Sequence, residues 1–210
     1  MLQGATNMER QEFKRQLVEL GTVISDGIAY FSAWRGLMVE DEVSAHALNR
    51  YRGLFLPARN ALAWMTLMQF AKVFDRDLRT VSLRNLLSAA KKNRESLTPY
   101  ATEEDLRQIG QNVDTSEGLL DRLKRFRDQR IAHHDAIIAG DVSLSYGDVQ
   151  QLVEEIKSMY NSFTSGHDRS LPTHFENVAH DVERHTSEVV CIMREERDRA
   201  IRTITEADMT

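Results

Sequence analysis

The chain contains a single cysteine, Cys191, in 210 residues. One cysteine cannot form an intramolecular disulfide, and its isolation excludes the zinc sites that are built from several cysteines. Scarcity of cysteine is also typical of proteins from a reducing compartment. A cytoplasmic location is therefore expected.

Residues that interrupt helices are scarce too, with three prolines and ten glycines, so long uninterrupted elements are expected. Long hydrophobic runs are absent. The most apolar segment, ALAWMTLMQFAKVF at 61–74, contains Gln69 and Lys72 and is too short to cross a bilayer. The N-terminal stretch MLQGATNMERQEFKRQ lacks the apolar core of a signal peptide. The sequence predicts a soluble protein without a membrane segment.

Neither sign of charge is in large excess. The 27 Lys and Arg residues and 32 Asp and Glu residues leave a formal net charge of −5. Whole-chain charge therefore offers no attraction for nucleic acid, and only a local basic patch could bind a phosphate backbone. The length and the 41% hydrophobic content suffice for one domain with a full core.

What the sequence does contain is helical spacing of apolar residues. Between about residues 8 and 37, apolar residues recur every three or four positions, which predicts one amphipathic helix. These residues are Phe13, Leu17, Leu20, Ile24, Ile28 and Phe31. A second helical stretch covers about 43–75, and Pro57 is expected to kink it or divide it in two. Its second half has one narrow polar stripe, Thr66, Gln69 and Lys72. Such a helix is expected at the centre of a bundle.

Helix-start signals predict further helices downstream. Ser82 can cap SLRNLLSAAKKN, and Thr102 with Asp105 resembles a capping box before TEEDLRQIG. A longer helix is expected to start at Asp114 or Ser116. The segment AGDVSLSYGD is predicted as a turn before the helix VQQLVEEIKSMYNSF, and TSGHDRSLP is predicted as a linker.

The last helix is predicted from about 175 to 205. Its narrow apolar stripe suits packing along a partner or back onto the bundle, and consists of Val178, Val182, Val189, Met193, Ala200 and Ile204. No strand pattern or internal repeat is present. The sequence therefore predicts an all-α fold, with a helical domain over 1–165 and a linker with a C-terminal helix over 166–210.

Several enzyme signatures are missing from the sequence. It has no glycine-rich phosphate loop, no His-Glu-x-x-His helix and no G-x-S-x-G nucleophile elbow. His174, His180 and His185 follow at intervals of six and five, whereas metal ligands on one helical face need intervals of three or four. Neither a metal nor a cofactor is expected.

The segment RFRDQRIAHHDA, at 125–136, combines Arg125, Arg127 and Arg130 with the adjacent His133 and His134. Arginine can donate two parallel hydrogen bonds to a phosphodiester, and histidine exchanges protons near neutral pH. Together they could cleave RNA without a metal, because the imidazole can take the 2′-hydroxyl proton while the guanidinium stabilises the phosphate. Two structural alternatives are a solvated cationic helix face and histidines that make buried hydrogen bonds in a plain bundle.

The motif RDQRIAH resembles the signature of the HEPN superfamily, in which Arg and a polar residue precede His by a short spacer. The pattern falls on Arg127, Asp128 and His133, with five residues between Arg and His. Together with FDRDLRTVSLRNLL at 74–87, it is most similar to the abortive-infection AbiU-type branch. The resemblance covers most of residues 10 to 165, and the last helix less clearly.

The resemblance implies a HEPN-like helical bundle that dimerises through the motif helix. It also implies a metal-independent endoribonuclease that acts as a toxin or antiviral effector and leaves a 2′,3′-cyclic phosphate and a 5′-hydroxyl. RNA and a second copy of the chain are the implied partners, with an antitoxin or other protein as a further candidate. Because similar domains include inactive members, the alternative is a non-catalytic module that binds RNA or a nucleotide, or that only assembles.

Two histidines remain candidates for the catalytic imidazole. The resemblance assigns His133, but on a continuous helix His134 lies seven residues from Arg127 and shares its face, whereas His133 lies about 120° away. Asp128 would orient Arg127 or a histidine. The further cations expected to bind RNA are Lys124, Arg125 and Arg130.

Overall fold

The computed structural model describes residues 9–132, 145–169 and 175–207. This part of the chain contains eight α-helices and no strand, which confirms the predicted all-α fold. In chain order the helices are α1 Arg10–Gly36, α2 Glu42–Arg50, α3 Arg52–Val73, α4 Leu83–Lys92, α5 Arg94–Leu97, α6 Glu103–Ala132, α7 Tyr146–His167 and α8 Phe175–Ala207. None of them is both long and apolar enough to span a membrane.

Local signals placed several of these helices correctly. The six apolar residues of α1 are all buried, from Phe13 at 0% exposure to Phe31 at 4%. Ser82 caps α4 by accepting a hydrogen bond from the Asn85 amide at 3.4 Å. Thr102 and Asp105 form the predicted capping box, with side-chain-to-amide hydrogen bonds of 2.7 and 3.1 Å.

The stretch predicted over about 43–75 is divided in two, but at Tyr51, where the chain leaves the helical conformation, and not at Pro57, which lies inside α3. Tyr51 has φ −111° and ψ 35°, and its carbonyl accepts the Leu54 and Phe55 amides at 2.9 and 3.1 Å. Because proline has no amide hydrogen, α3 loses only the hydrogen bond that residue 57 would have donated to the Gly53 carbonyl. The surrounding helical hydrogen bonds suffice to carry the helix through it.

Two other boundaries also differ from the prediction. The sequence predicted one helix at 102–110 and another from 114 or 116, but the structure has a single helix, α6. A row of buried residues continues on both sides of Gly110; it consists of Leu106, Ile109, Val113 and Ser116. The predicted linker at 164–172 begins inside α7, which continues to His167. His167 is 2% exposed and its Nδ1 lies 2.5 Å from the Leu97 carbonyl, so burial holds this turn in the helix.

The chain forms two compact units, which are discontinuous in sequence. Unit 1 comprises residues 1–27 and 67–174, and unit 2 comprises residues 28–66 and 175–210. The proposed division of the chain after residue 165 remains a prediction.

In unit 1 the first half of α1 packs on α7. The Tyr160 hydroxyl donates to the Leu17 carbonyl at 2.8 Å, and the rings of Phe13 and His167 lie 5.3 Å apart. Gly21 lets this approach occur, since a Cβ there would lie 2.3 Å from Tyr160 Oη. Burial of Tyr160 raises the pKa of its hydroxyl to about 12.

In unit 2, α2 packs against α8 around a small apolar cluster. The cluster consists of Leu37, Leu48 and Val190, with Val39, Phe55, Leu62 and Met193 packed against it. Arg35 pairs with Glu183 at 3.3 Å. The predicted α8 stripe is partly wrong. Val189, which belongs to the stripe, is 43% exposed, whereas Val190, which does not, is buried at 7%.

Two of the three residues in the polar stripe predicted on α3 are buried. Thr66 and Gln69 are buried at 0% and 7%, whereas Met65 and Met68 are 41% and 36% exposed. The Thr66 hydroxyl donates to the Leu62 carbonyl of its own helix at 2.9 Å, and Gln69 accepts from Lys72 at 3.1 Å. Local hydrogen bonds thus satisfy the buried polar atoms, and one apolar face of α3 is left exposed.

Candidate nucleic-acid interface

The candidate site lies at the C-terminal end of α6. Helical backbone continues through Ala132, the residue that directly precedes His133. The predicted site residues Lys124, Arg125, Arg127, Asp128 and Arg130 all fall on this last stretch of α6, but their side chains lie outside what the structure describes. His133 and His134 lie outside the described residues altogether.

The helical backbone sets the relative positions of the candidate cations. Lys124, Arg127 and Arg130 follow at intervals of three on a helix of about 3.6 residues per turn, so they lie on one side of α6. Asp128 is offset from Arg127 by about 100°. Three cationic residues therefore follow one another along about two turns of α6.

Two polar contacts with α7 hold α6 in place ahead of this row. The buried Ser116 hydroxyl donates to the Glu155 carboxylate at 2.7 Å, and its oxygen also lies 2.9 Å from the Asn112 carbonyl. Gln151 donates to the other oxygen of Glu155 at 2.8 Å. The Ser116 hydrogen bond joins α6 to α7, and Gln151, which belongs to α7 itself, holds the same carboxylate in position.

Closer to the motif, Arg122 pairs with Asp148 at 3.3 Å. Asp148 also accepts from the Ser145 amide and hydroxyl, each at 2.9 Å, and the Asp148 amide donates back to Ser145 Oγ. These hydrogen bonds, first from the Ser145 backbone, lower the pKa of Asp148, and Arg122 adds to the effect. The start of α7 is therefore tied to α6 about 7.5 Å along the helix axis from Arg127.

On its other side α6 packs against α4. Arg84 of α4 lies 3.5 Å from Asp114 of α6, and a Cβ on Gly110 would meet Leu87 at 3.4 Å and the Lys91 Nζ at 3.1 Å. The two helices are therefore antiparallel. Both α4 and α7 therefore contact α6 ahead of its terminal turns.

The anchoring residues Ser116, Arg122, Asp148 and Glu155 are not evident from the sequence. One signal was available, since Ser145 and Asp148 have the S-x-x-D spacing of a capping box ahead of an apolar run. The contacts of Ser116 and Arg122 join residues 39 and 26 positions apart. Such pairs cannot be identified from spacing within one helix.

Metal ligation finds no support within the described ranges. No group of three or more His, Cys, Asp or Glu side chains there could hold a metal ion. The carboxylates that anchor α6, Asp148 and Glu155, are each engaged by hydrogen-bond donors.

A family model matches most of the chain. The family model HEPN_AbiU2, described as AbiU2, matches residues 10–199. The match extends over α8 as well as the helices that carry the motif. No curated protein and no solved structure matches the chain.

Proposed function

Because the chain belongs to the AbiU2 family of HEPN proteins, which is related to abortive infection, we propose that it is a metal-independent endoribonuclease acting as an abortive-infection effector or toxin. One observation carries the proposal. Arg127 and Asp128 stand at the end of a helix, α6, that is anchored on two sides, and its helical backbone continues to the residue before His133.

The proposed reaction uses the side chains of the motif. His133 takes the proton of an RNA 2′-hydroxyl, and the 2′-oxygen attacks the adjacent phosphorus. The bond to the 5′-oxygen breaks and that oxygen takes up a proton, either from the protonated imidazole or from water, leaving a 2′,3′-cyclic phosphate and a 5′-hydroxyl. Arg127 donates two hydrogen bonds to the phosphate and stabilises its developing charge. Asp128 orients Arg127 or the imidazole.

The other cations and the second histidine have supporting roles in this proposal. Lys124, Arg125 and Arg130 bind neighbouring phosphates, since their positive charge attracts the phosphate backbone and fixes its position. His134, which would share the face of Arg127 if α6 continued, is the alternative base. Comparison of His133→Ala with His134→Ala decides between them.

We also propose that the motif end of α6 forms a cleft with the same segment of a second chain. If the helix continued to His133, that residue would lie about 120° from Arg127, and the two side chains could not easily reach one phosphate. A two-fold axis beside the motif would bring His133 of one chain opposite Arg127 of the other. Each active site would then contain residues from both chains.

The deciding experiment incubates purified protein with total RNA in EDTA and maps the cleavage ends. Wild type should cut and leave cyclic phosphate ends, while Arg127→Ala and His133→Ala should be inactive. Arg107→Ala is the matched control, because Arg107 is an exposed arginine of the same helix that pairs with Glu104, far from the motif. Cleavage that requires a divalent ion would overturn the assigned chemistry.

The same proteins test the physiological role and the alternative. Expression of the wild type should arrest growth, and Arg127→Ala should abolish the arrest. If RNA or a nucleotide stabilises the protein against unfolding but no cut is made, the chain is a non-catalytic binding module. An antitoxin would be indicated if a second protein that binds the chain suppressed both cleavage and growth arrest.

A further inference from the structure

Two side-chain contacts join α6 to α7 ahead of the motif, and they start from different sides of α6. Ser116 Oγ donates to Glu155 at 2.7 Å, and Arg122 Nη2 donates to Asp148 at 3.3 Å. The two α6 residues are six positions apart, which is about 9 Å along the axis and about 120° round the helix. The two carboxylates are seven positions apart on α7, so they lie on one side of it. One side of α7 therefore receives contacts from two directions on α6.

Contacts placed in this way restrict the rotation of α6 about its own axis. A turn of α6 in one sense moves Ser116 towards α7 and draws Arg122 away from it, and a turn in the other sense does the reverse. Either turn distorts one of the two hydrogen bonds, and hydrogen bonds weaken steeply outside their normal geometry. Arg127 belongs to the same helix, about 140° round from Arg122. The direction of the Arg127 side of α6, relative to α7, therefore depends on both contacts.

Asp148 connects the contact with α6 to the first turn of α7. Its Oδ2 accepts from the Ser145 amide and hydroxyl, each at 2.9 Å, whereas its Oδ1 accepts from Arg122. The Asp148 side chain is 26% exposed, and the hydrogen bonds of the capping box hold it in one orientation. An ion pair with a fixed acceptor loses less side-chain entropy than a pair of two free side chains. Arg122 therefore binds an acceptor whose position is set by the start of α7.

Among the described side chains, this pair is the contact between α6 and α7 that lies nearest to the motif. Arg122 lies five positions before Arg127, about 7.5 Å along the axis, whereas Ser116 lies about 16.5 Å before it. A shift of α6 at Arg122 therefore moves the turns that carry the cation row, which consists of Lys124, Arg127 and Arg130. A displacement of about 1 Å at a reacting group can cost on the order of a hundredfold in rate.

We propose that Arg122 and Asp148 are positioning residues, which set the direction in which the cation row faces the RNA. The inference rests on the proposed ribonuclease function, in which neither residue contacts the reacting phosphate. Arg122 lies about 140° round α6 from Arg127 and is bonded to Asp148, so it is not part of the cation row. Asp148 brings a negative charge to this end of α6, which by charge alone would disfavour RNA. Its contribution is therefore the hydrogen bond that it accepts.

Amide hydrogen exchange of residues 124–132, measured on the full-length protein, tests the positioning directly. In Asp148→Asn the side-chain carbonyl can still accept from Ser145, but the amide nitrogen that then faces Arg122 cannot accept a hydrogen bond. Asp148→Asn and Arg122→Gln should each speed exchange there by about two- to fivefold, the range expected for loss of one partly exposed ion pair. The double variant should exchange no faster than either single variant, because both remove the same contact.

Asp114→Asn is the matched control. Asp114 pairs α6 with Arg84 of α4 at 3.5 Å, and its substitution removes one negative charge, as Asp148→Asn does. It lies 13 positions before Arg127, about 20 Å along the axis. Hydrogen exchange at 124–132 and RNA cleavage should both stay at the wild-type level.

RNA cleavage separates positioning from charge. If the pair positions the cation row, Asp148→Asn and Arg122→Gln should both lower kcat by at least about fivefold. If the two residues act only through charge, the variants should change RNA binding in opposite directions, because one removes an anion and the other a cation. Opposite changes, or unchanged cleavage in both variants, would overturn the proposal, and so would unchanged exchange at 124–132. If the wild type makes no cut, the proposed function fails, and hydrogen exchange alone decides whether the pair positions the row.

Discussion

Substitution of Gly21 by alanine tests the close packing of α1 on α7. An alanine Cβ would lie 2.3 Å from Tyr160 Oη and 3.0 Å from Cζ, which is far inside van der Waals contact. The ring cannot move away easily, because Tyr160 is 4% exposed and its hydroxyl donates to the Leu17 carbonyl. Overpacking of this kind costs about 1–3 kcal/mol.

One further contribution opposes the overlap. Alanine is favoured over glycine inside a helix by about 1 kcal/mol, which offsets part of the cost. Gly21→Ala should therefore lower the free energy of unfolding by up to about 2 kcal/mol. Tyr160→Phe removes one hydrogen bond and should cost about 1 kcal/mol. The Leu17 carbonyl keeps its helical partner, so no buried acceptor is left alone.

The two changes should not be additive. In Gly21→Ala/Tyr160→Phe the contact with Oη no longer exists, and the contact with Cζ needs a shift of only a few tenths of an ångström. The double variant should be more stable than the sum of the single effects by at least about 0.5 kcal/mol. Urea denaturation measures the free energy of unfolding of the wild type, the two single variants and the double variant. The comparison requires that the dependence of this free energy on urea concentration is the same in all four proteins.

Gly118→Ala is the matched control for this cycle. Gly118 lies inside α6, and no neighbouring atom of the described residues lies within 4 Å of the position that an alanine Cβ would occupy. Alanine should therefore stabilise the protein by up to about 1 kcal/mol. The packing explanation would be refuted if Gly21→Ala were as stable as Gly118→Ala. Strict additivity in the cycle would refute it equally.

Three further predictions concern the motif and the buried tyrosine. Arg127→Lys should be nearly as inactive in RNA cleavage as Arg127→Ala, because lysine keeps the charge but loses the planar two-donor geometry; recovery of most activity would reduce Arg127 to a general electrostatic role. A mixed dimer of Arg127→Ala and His133→Ala chains should recover a sizeable part of wild-type cleavage, while each mutant homodimer stays inactive; an inactive mixed dimer would rule out the composite site. The neutral Tyr160 hydroxyl is favoured in the folded state, where its pKa is about 12 instead of the ordinary value of about 10. Its contribution to stability should be complete below about pH 10 and decline as the pH rises towards 12, so the free energy of unfolding should fall more steeply over this range in the wild type than in Tyr160→Phe.

The sequence by itself determined the features that depend on neighbouring residues. The three-and-four spacing from Phe13 to Phe31 defines the buried face of α1, because only a helix places those side chains on one side. Ser82 and Thr102 mark helix starts because their side chains satisfy amide groups within three residues. The motif of Arg127 and His133 could likewise be recognised, since its spacing is local.

Tertiary structure decided the features that depend on distant residues. Propensity places a break at Pro57, yet the chain breaks at Tyr51 and α3 continues through the proline. Gly110 does not end α6, because the buried row on either side of it packs continuously. In α6 the free energy of packing the buried row exceeds the local preference of Gly110. In α3 the remaining hydrogen bonds of the helix outweigh the one that Pro57 removes.

The surroundings of the motif were decided in the same way. Arg122 and Asp148 are 26 residues apart, and Ser116 and Glu155 are 39 apart, so only the packing of α7 on α6 makes them partners. Burial of the Thr66 side chain also depends on the helices that surround α3. Its hydroxyl is satisfied by the Leu62 carbonyl of its own helix, which frees that face for burial, while Met65 is left exposed. Periodicity identifies the faces of a helix, but the neighbouring helices determine which face is buried.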